Sequence, residues 1–136
     1  MTPSDFFRYL GAPLANQRWS WGAVRQADNV VVLRVWQDET RKFDGKLHVM
    51  VTAHQWFADD PGNLGDVERL RHLDAIRAGL RAFAVMCVAA DPRESPRRIS
   101  KFNRDELFVG GTLRTEDGEE WLELTGRVPA STLRPS

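Results

Sequence analysis

At 136 residues, with 19 basic against 19 acidic side chains, the chain is sized for one domain with a single core and carries no net charge. That balance excludes a histone-like or polybasic protein whose main task is sequence-independent binding of a polyanion. The lone cysteine, Cys87, excludes an intramolecular disulfide; within the apolar run from Phe83 to Ala90 it reads as a buried, inert thiol suited to a reducing cytoplasm.

The N-terminus, MTPSDFFRYLG, has neither a basic segment nor a long apolar one, so it is not read as a secretory signal. No apolar run approaches the roughly 18 residues needed to cross a membrane, and the expectation is a cytoplasmic protein with no membrane attachment. Ser4 reads as the N-cap of a short helix from Asp5 to Leu10, with Gly11 and Pro13 after it and Phe6, Phe7 and Leu10 to anchor it.

Asn16 to Glu39, NQRWSWGAVRQADNVVVLRVWQDE, reads as a β-hairpin turning at Asp28-Asn29. That turn pairs Ala27 with Val30, Val24 with Leu33, Trp21 with Trp36 and Trp19 with Asp38. Side chains alternate along a strand, so Gly22, Val24, Val31, Leu33 and Val35 share one face. Trp19, Trp21, Ala23, Arg25, Arg34, Trp36 and Asp38 share the other. A four-residue turn keeps this partition, whereas a three-residue turn or a bulge moves Trp19 and Trp21 relative to Trp36.

A polar loop from Thr40 to Gly45 leads to Lys46–His54, where Leu47, Val49, Val51 and Ala53 alternate with His48, Met50, Thr52 and His54 as a half-buried strand. Turn residues from Asp59 to Gly65 precede a helix capped by Asp66 and running to about Ala78, with Gly79 as terminator and Val67, Leu70, Leu73 and Ile76 as its apolar face. Residues 81–90 are apolar on both alternating faces, the pattern of a central strand covered on both sides. A loop rich in proline and arginine, Asp91 to Arg104, precedes Glu106–Thr115, a turn at Asp117-Gly118 and Glu120–Thr125, with a bulge or bend at Gly110-Gly111. The order implies a single α+β domain over residues 1–128, with two helices and a mostly antiparallel twisted sheet of about six strands, open or partly closed into a barrel. Residues 129–136 read as a flexible tail.

The tryptophan-bearing face of the hairpin is the most informative feature. One account covers it with the N-terminal helix or a dimer partner. The other makes it a pocket that stacks a planar ligand, with Asp38 and a nearby arginine binding the ligand's edge. Arg34 can stack on the rings, and His54 with Trp56 extends the wall. Arg93, Arg97, Arg98, Lys101 and Arg104 form the one basic cluster, either a solvated loop or a clamp for phosphate or carboxylate beside the tryptophans.

His48 and His54 are too sparse for a metal site, and Asp38 with Glu39 follows no nuclease spacing; alternation turns those two acids to opposite faces if the strand continues through them. No phosphate loop, nucleophile elbow or Cys–His pair is present, and Ser20 has no evident base.

The segments Asn16–Ala23, Val31–Glu39, Ala89–Arg97 and Thr125–Arg127 resemble a family of small uncharacterised bacterial proteins carried on mobile DNA, including integron gene cassettes. That resemblance implies a genetic context and transfers no activity. A looser likeness, resting on tryptophans near strands, is to the PUA-like group with its EVE and YTH modules, in which tryptophans enclose a modified base; their characteristic motifs are absent here.

The reading is a non-enzymatic binding module, with neither catalytic residues nor a cofactor assigned. Trp19, Trp21, Trp36, Arg34, Asp38, His54, Arg97 and Arg98 hold a planar small molecule or a nucleobase, in nucleic acid or free. The alternatives are a homodimer or protein-interaction domain using the same face, and a small cytosolic enzyme.

Overall fold

The computed structural model describes residues 1–94 and 97–133. Among the described residues two helices, α1 (Pro3–Tyr9) and α2 (Leu64–Arg77), accompany eight strands. The strands are β1 (Gly22–Arg25), β2 (Val30–Trp36), β3 (Thr40–Phe43), β4 (Lys46–Ala53), β5 (Ala82–Ala89), β6 (Ile99–Phe102), β7 (Glu106–Glu116) and β8 (Glu119–Pro129). They form one open sheet in the order β1-β2-β5-β7-β8-β4-β3, with β6 joined to β5 beyond β7. Only β2 and β5 run parallel among the described strands. The domain is therefore α+β with a mostly antiparallel mixed sheet, and the barrel alternative is set aside, since β1 and β3 remain unpaired with each other. No helix among the described residues is long and apolar enough to cross a membrane.

Two apolar clusters lie on opposite faces of the central strands. On one face α1 sets Phe6, Phe7 and Leu10 against Val30, Val32, Phe83, Val85, Cys87 and Leu107. Each fully buried phenylalanine contributes roughly 1.5–3 kcal/mol by leaving water. On the other, Leu73 and Ile76 of α2 pack with Val31, Leu33, Val35, Ala84 and Met86 of the central strands and with Val49, Val51 and Leu122 of β4 and β8. The sheet thus curls until its two halves share one core. Alternation explains β5, whose successive side chains feed the two clusters in turn. Burial leaves Cys87 as a free thiol with its pKa pushed up to about 12.

Several local expectations shift. Thr2, not Ser4, caps α1, in a capping box with Asp5. Asn63 caps α2 by accepting from the Asp66 amide. The first hairpin pairs Gly22 with Leu33 and Arg25 with Val30, so its loop has four residues, Gln26 to Asn29, with Asn29 left-handed at φ 57°. That moves the register by two positions and leaves the facing of the strand residues unchanged.

The supposed loop Thr40–Gly45 is half a hairpin: β3 pairs with β4 through Asp44-Gly45, both at positive φ. Its exposed Thr40, Arg41 and Lys42 carry no apolar alternation because β3 is an edge strand, where charge also deters further pairing. Part of the Asp91–Arg104 loop is likewise strand β6; residues 95 and 96 within it lie outside the described residues. The tail expected from Pro129 is packed through Leu133, since Ala130 and Leu133 are buried in the α1 cluster; residues 134–136 lie outside the described ones.

Candidate functional site

Strand β2 ends at Trp36, and a single 3-10 turn, Gln37–Glu39, follows before β3 begins. Because the strand stops there, alternation no longer separates Asp38 from Glu39. Both carboxylates turn onto Arg97, which comes from the far end of the loop after β5. The guanidinium of Arg97 donates to Asp38 Oδ1 and Oδ2 at 2.8 and 2.8 Å and lies 3.1 Å from Glu39 Oε1. The same group sits over the Trp36 ring, 5.3 Å from its centroid. Two acids therefore share one cation. Burial, with Asp38 beside it, pushes Glu39 up to about 7 even though Arg97 opposes the shift. Glu39 is therefore a proton-exchanging group near neutral pH in a corner otherwise built for hydrogen-bond donors.

The other tryptophans go elsewhere. Asn16 to Ser20 close a compact turn in which the Ser20 amide donates to Asn16 O, the Asn16 amide to Ser20 Oγ and the Arg18 amide to Asn16 Oδ1. Trp19 lies in this turn and not on a strand. Trp21 precedes β1 and packs on α2: a Cβ on Gly65 would come within 2.5 Å of its ring, and Phe57 tilts against it at 5.4 Å. Trp36 instead packs against the α1 cluster. No ring contact among the described residues joins any two of Trp19, Trp21 and Trp36. The shared tryptophan wall is thus replaced by separate sites, because the strand ends at Gly22 and Trp21 keeps only the bond from the Arg34 amide to its carbonyl, which leaves the residues before β1 free of strand alternation.

Of the remaining residues read as ligand contacts, Arg34 is half-buried on β2, with burial holding its pKa below the usual range. His54 is exposed on the 3-10 turn His54–Phe57, its amide bonded to Gly118 O. Arg98 is held by Glu94 at 2.6 Å, and Arg93 lies 3.5 Å from Asp91. Arg93, Arg97 and Arg98 of the arginine loop thus each face an acid, whereas Lys101 and Arg104 make no ion pair among the described residues. Hollows beside α1, lined by Phe6, Tyr9, Ile99, Lys101 and Arg104, share none of the corner's residues. No group of three His, Cys, Asp or Glu side chains among the described residues could hold a metal ion.

No family model, curated protein or solved structure matches this chain. The corner is accordingly read from its own chemistry, which is a half-buried aromatic face bordered by two carboxylates and filled by a planar cation.

A second polar group escaped the sequence. Arg69, 2% exposed, donates from Nη1 to Val51 O at 2.9 Å and from Nη2 to Arg34 O at 2.7 Å and Trp21 O at 3.0 Å. It bridges β4 to the β1–β2 hairpin, the two parts of the sheet that the curl brings together. Burial and the neighbouring Arg34 lower its pKa to about 9, which leaves it charged at neutral pH. Beside it Glu68 accepts from Ser20 Oγ at 3.2 Å, and burial raises its pKa. Burial, with Arg69 and Arg71, lowers His72 to about 4, so it stays neutral. Ser20 thus has a carboxylate partner. Gly65 was the one legible hint, a small residue in the first turn of a helix where another chain segment packs closely.

Proposed function

We propose that the protein is a binding module whose site is the corner of Trp36, Asp38 and Glu39, and that its ligand is a planar group with two adjacent N–H donors, as on the edge of guanine. One observation carries the reading: Arg97 already occupies the corner as such a group, stacked on Trp36 and forked onto Asp38 with two 2.8 Å bonds. A guanidinium and the N1–H and N2–H edge of guanine present the same donor fork to a carboxylate. Arg97 is then an internal occupant that a ligand displaces.

The magnitudes allow the exchange. The Arg97–Asp38 side chains keep 23% and 35% of their exposure, so their bidentate ion pair is worth about 1 kcal/mol; the contact to the more buried Glu39 adds to this and is relieved when Glu39 takes up a proton, and the cation–π contact adds about 0.5–1 kcal/mol. Stacking a base on an aromatic ring is worth about 1–3 kcal/mol. Net affinity in the intact protein is correspondingly weak and rises when Arg97 is removed.

Guanosine titration, followed by tryptophan fluorescence, tests this. Quenching is expected in the wild type, at several-fold lower guanosine concentration in Arg97→Ala, and its loss in Trp36→Phe and Asp38→Asn. Adenosine, which lacks the donor fork, is expected to bind at least tenfold more weakly. A folded Arg97→Ala protein that ignores guanosine overturns the proposal.

A further inference from the structure

The exposed large apolar residues of the described chain are Met1, Trp56, Leu64, Val67 and Leu70, so all but one fall between positions 56 and 70. Leu64, Val67 and Leu70 lie along the outer side of α2, whose inner side carries Glu68, Arg69 and His72. The inner side also carries the apolar Leu73 and Ile76, so the helix has more apolar surface than its own sheet covers, and apolar residues gathered outside in this way mark a contact surface.

We infer that α2 packs antiparallel against α2 of a second copy, with the two-fold axis near Val67 and Leu70. The charges around the stripe select that occupant. Acids gather at its start, with Asp59 and Asp60 before the helix and Asp66 in the first turn. In the second half the exposed Asp74 is paired with Arg77 at 3.3 Å, which leaves Arg71, exposed and without an ion pair among the described residues, as the uncompensated charge there. Antiparallel self-packing brings each Arg71 toward the partner's acidic end, and it sets the two helix dipoles head to tail. A parallel pair would place like charges together. The contact is isologous, so one patch suffices for both partners.

A helix of 14 residues is about 21 Å long, too short a seam to reach the ~800 Å² per partner of a standard stable interface. The dimer is therefore concentration-dependent. This surface shares no residue with the Trp36 corner, so either inference can fail without the other.

Sedimentation velocity from about 5 to about 500 µM, a span that brackets weak micromolar association, is the test. The mass is expected to rise from 15.5 kDa toward twice that value. Val67→Glu is expected to shift the midpoint at least tenfold upward while circular dichroism and Tm stay unchanged. Arg71→Glu should weaken association, and adding Asp59→Arg and Asp60→Arg to the same chain should restore it. A single 15.5 kDa species throughout the range overturns the inference, as does a dimer indifferent to Val67→Glu.

Discussion

The helix α1 covers its face of the sheet with Phe6, Phe7 and Leu10, all sealed from water, whereas α2 turns Glu68, Arg69 and His72 toward the sheet and leaves Leu64, Val67 and Leu70 outside. The difference follows from spacing. In α1 and its C-cap the buried apolar residues fall at positions 6, 7 and 10, which share one side of a helix. In α2 they recur at 64, 67, 70, 73 and 76, and a strict three-residue step falls about 60° short of a full turn each time. The stripe winds around the helix, so no orientation buries all of it. Arg69, with three backbone acceptors, and Gly65, against Trp21, decide which part goes in. One cover is hydrophobic throughout; the other is half hydrophobic and half a hydrogen-bonded bridge.

That contrast can be broken at either helix. Phe7→Ala empties the α1 cover and is expected to cost about 3–5 kcal/mol in urea denaturation. Arg69→Met keeps the volume but removes the side-chain donor from the carbonyls of Val51 and Arg34, while the Trp21 carbonyl keeps the Arg34 amide at 2.7 Å; relief from burying a charge offsets part of that, leaving a net loss of roughly 1–3 kcal/mol. Gly65→Ala drives a methyl into Trp21 and is expected to cost about 1–3 kcal/mol, visible as a shifted tryptophan emission maximum as well as a lower Tm.

Two titrations sharpen the comparison further, with opposite signs. Glu39 holds its proton to about pH 7 in the fold against 4.5 ordinarily, so its contribution is complete below pH 4.5 and is lost as pH rises toward 7. His72 titrates at about 4 in the fold against 6.5 ordinarily, so its contribution is complete above pH 6.5 and is lost as pH falls toward 4. Urea midpoints measured across this range should lose their decline toward neutral pH in Glu39→Gln and their decline toward acid in His72→Leu. Val67→Ala, on the outer side of α2, sets the floor: a change within about 0.5 kcal/mol is expected at dilute concentration.

Much of the fold was legible where the signal is local. The central strand β5, the turn at Asp117-Gly118 and the two-sided character of the first hairpin all follow from period-two patterning and turn chemistry. The edge strand β3 was not, because an edge exposed to water has no apolar pattern to read. Of the candidate site, Trp36, Asp38 and Arg97 do meet, while Trp19 lies in a turn, Arg34 lies on β2, and Trp21, His54 and Arg98 lie in other contacts. The misplaced tryptophans precede the paired part of β1, where a turn held by Asn16 and Ser20 replaces strand geometry.

By itself, then, the sequence determined the element types, the alternation within each strand and the burial of Cys87, since these depend on neighbours a few positions apart. Only the tertiary structure decided that Asp38 and Glu39 converge on Arg97, 59 positions beyond Asp38, and that Arg69 reaches back 48 positions to the Trp21 carbonyl. Such contacts depend on where strands stop and on which side of a helix lies down. Both are settled by packing and hydrogen-bond satisfaction between distant segments, and no local period encodes them.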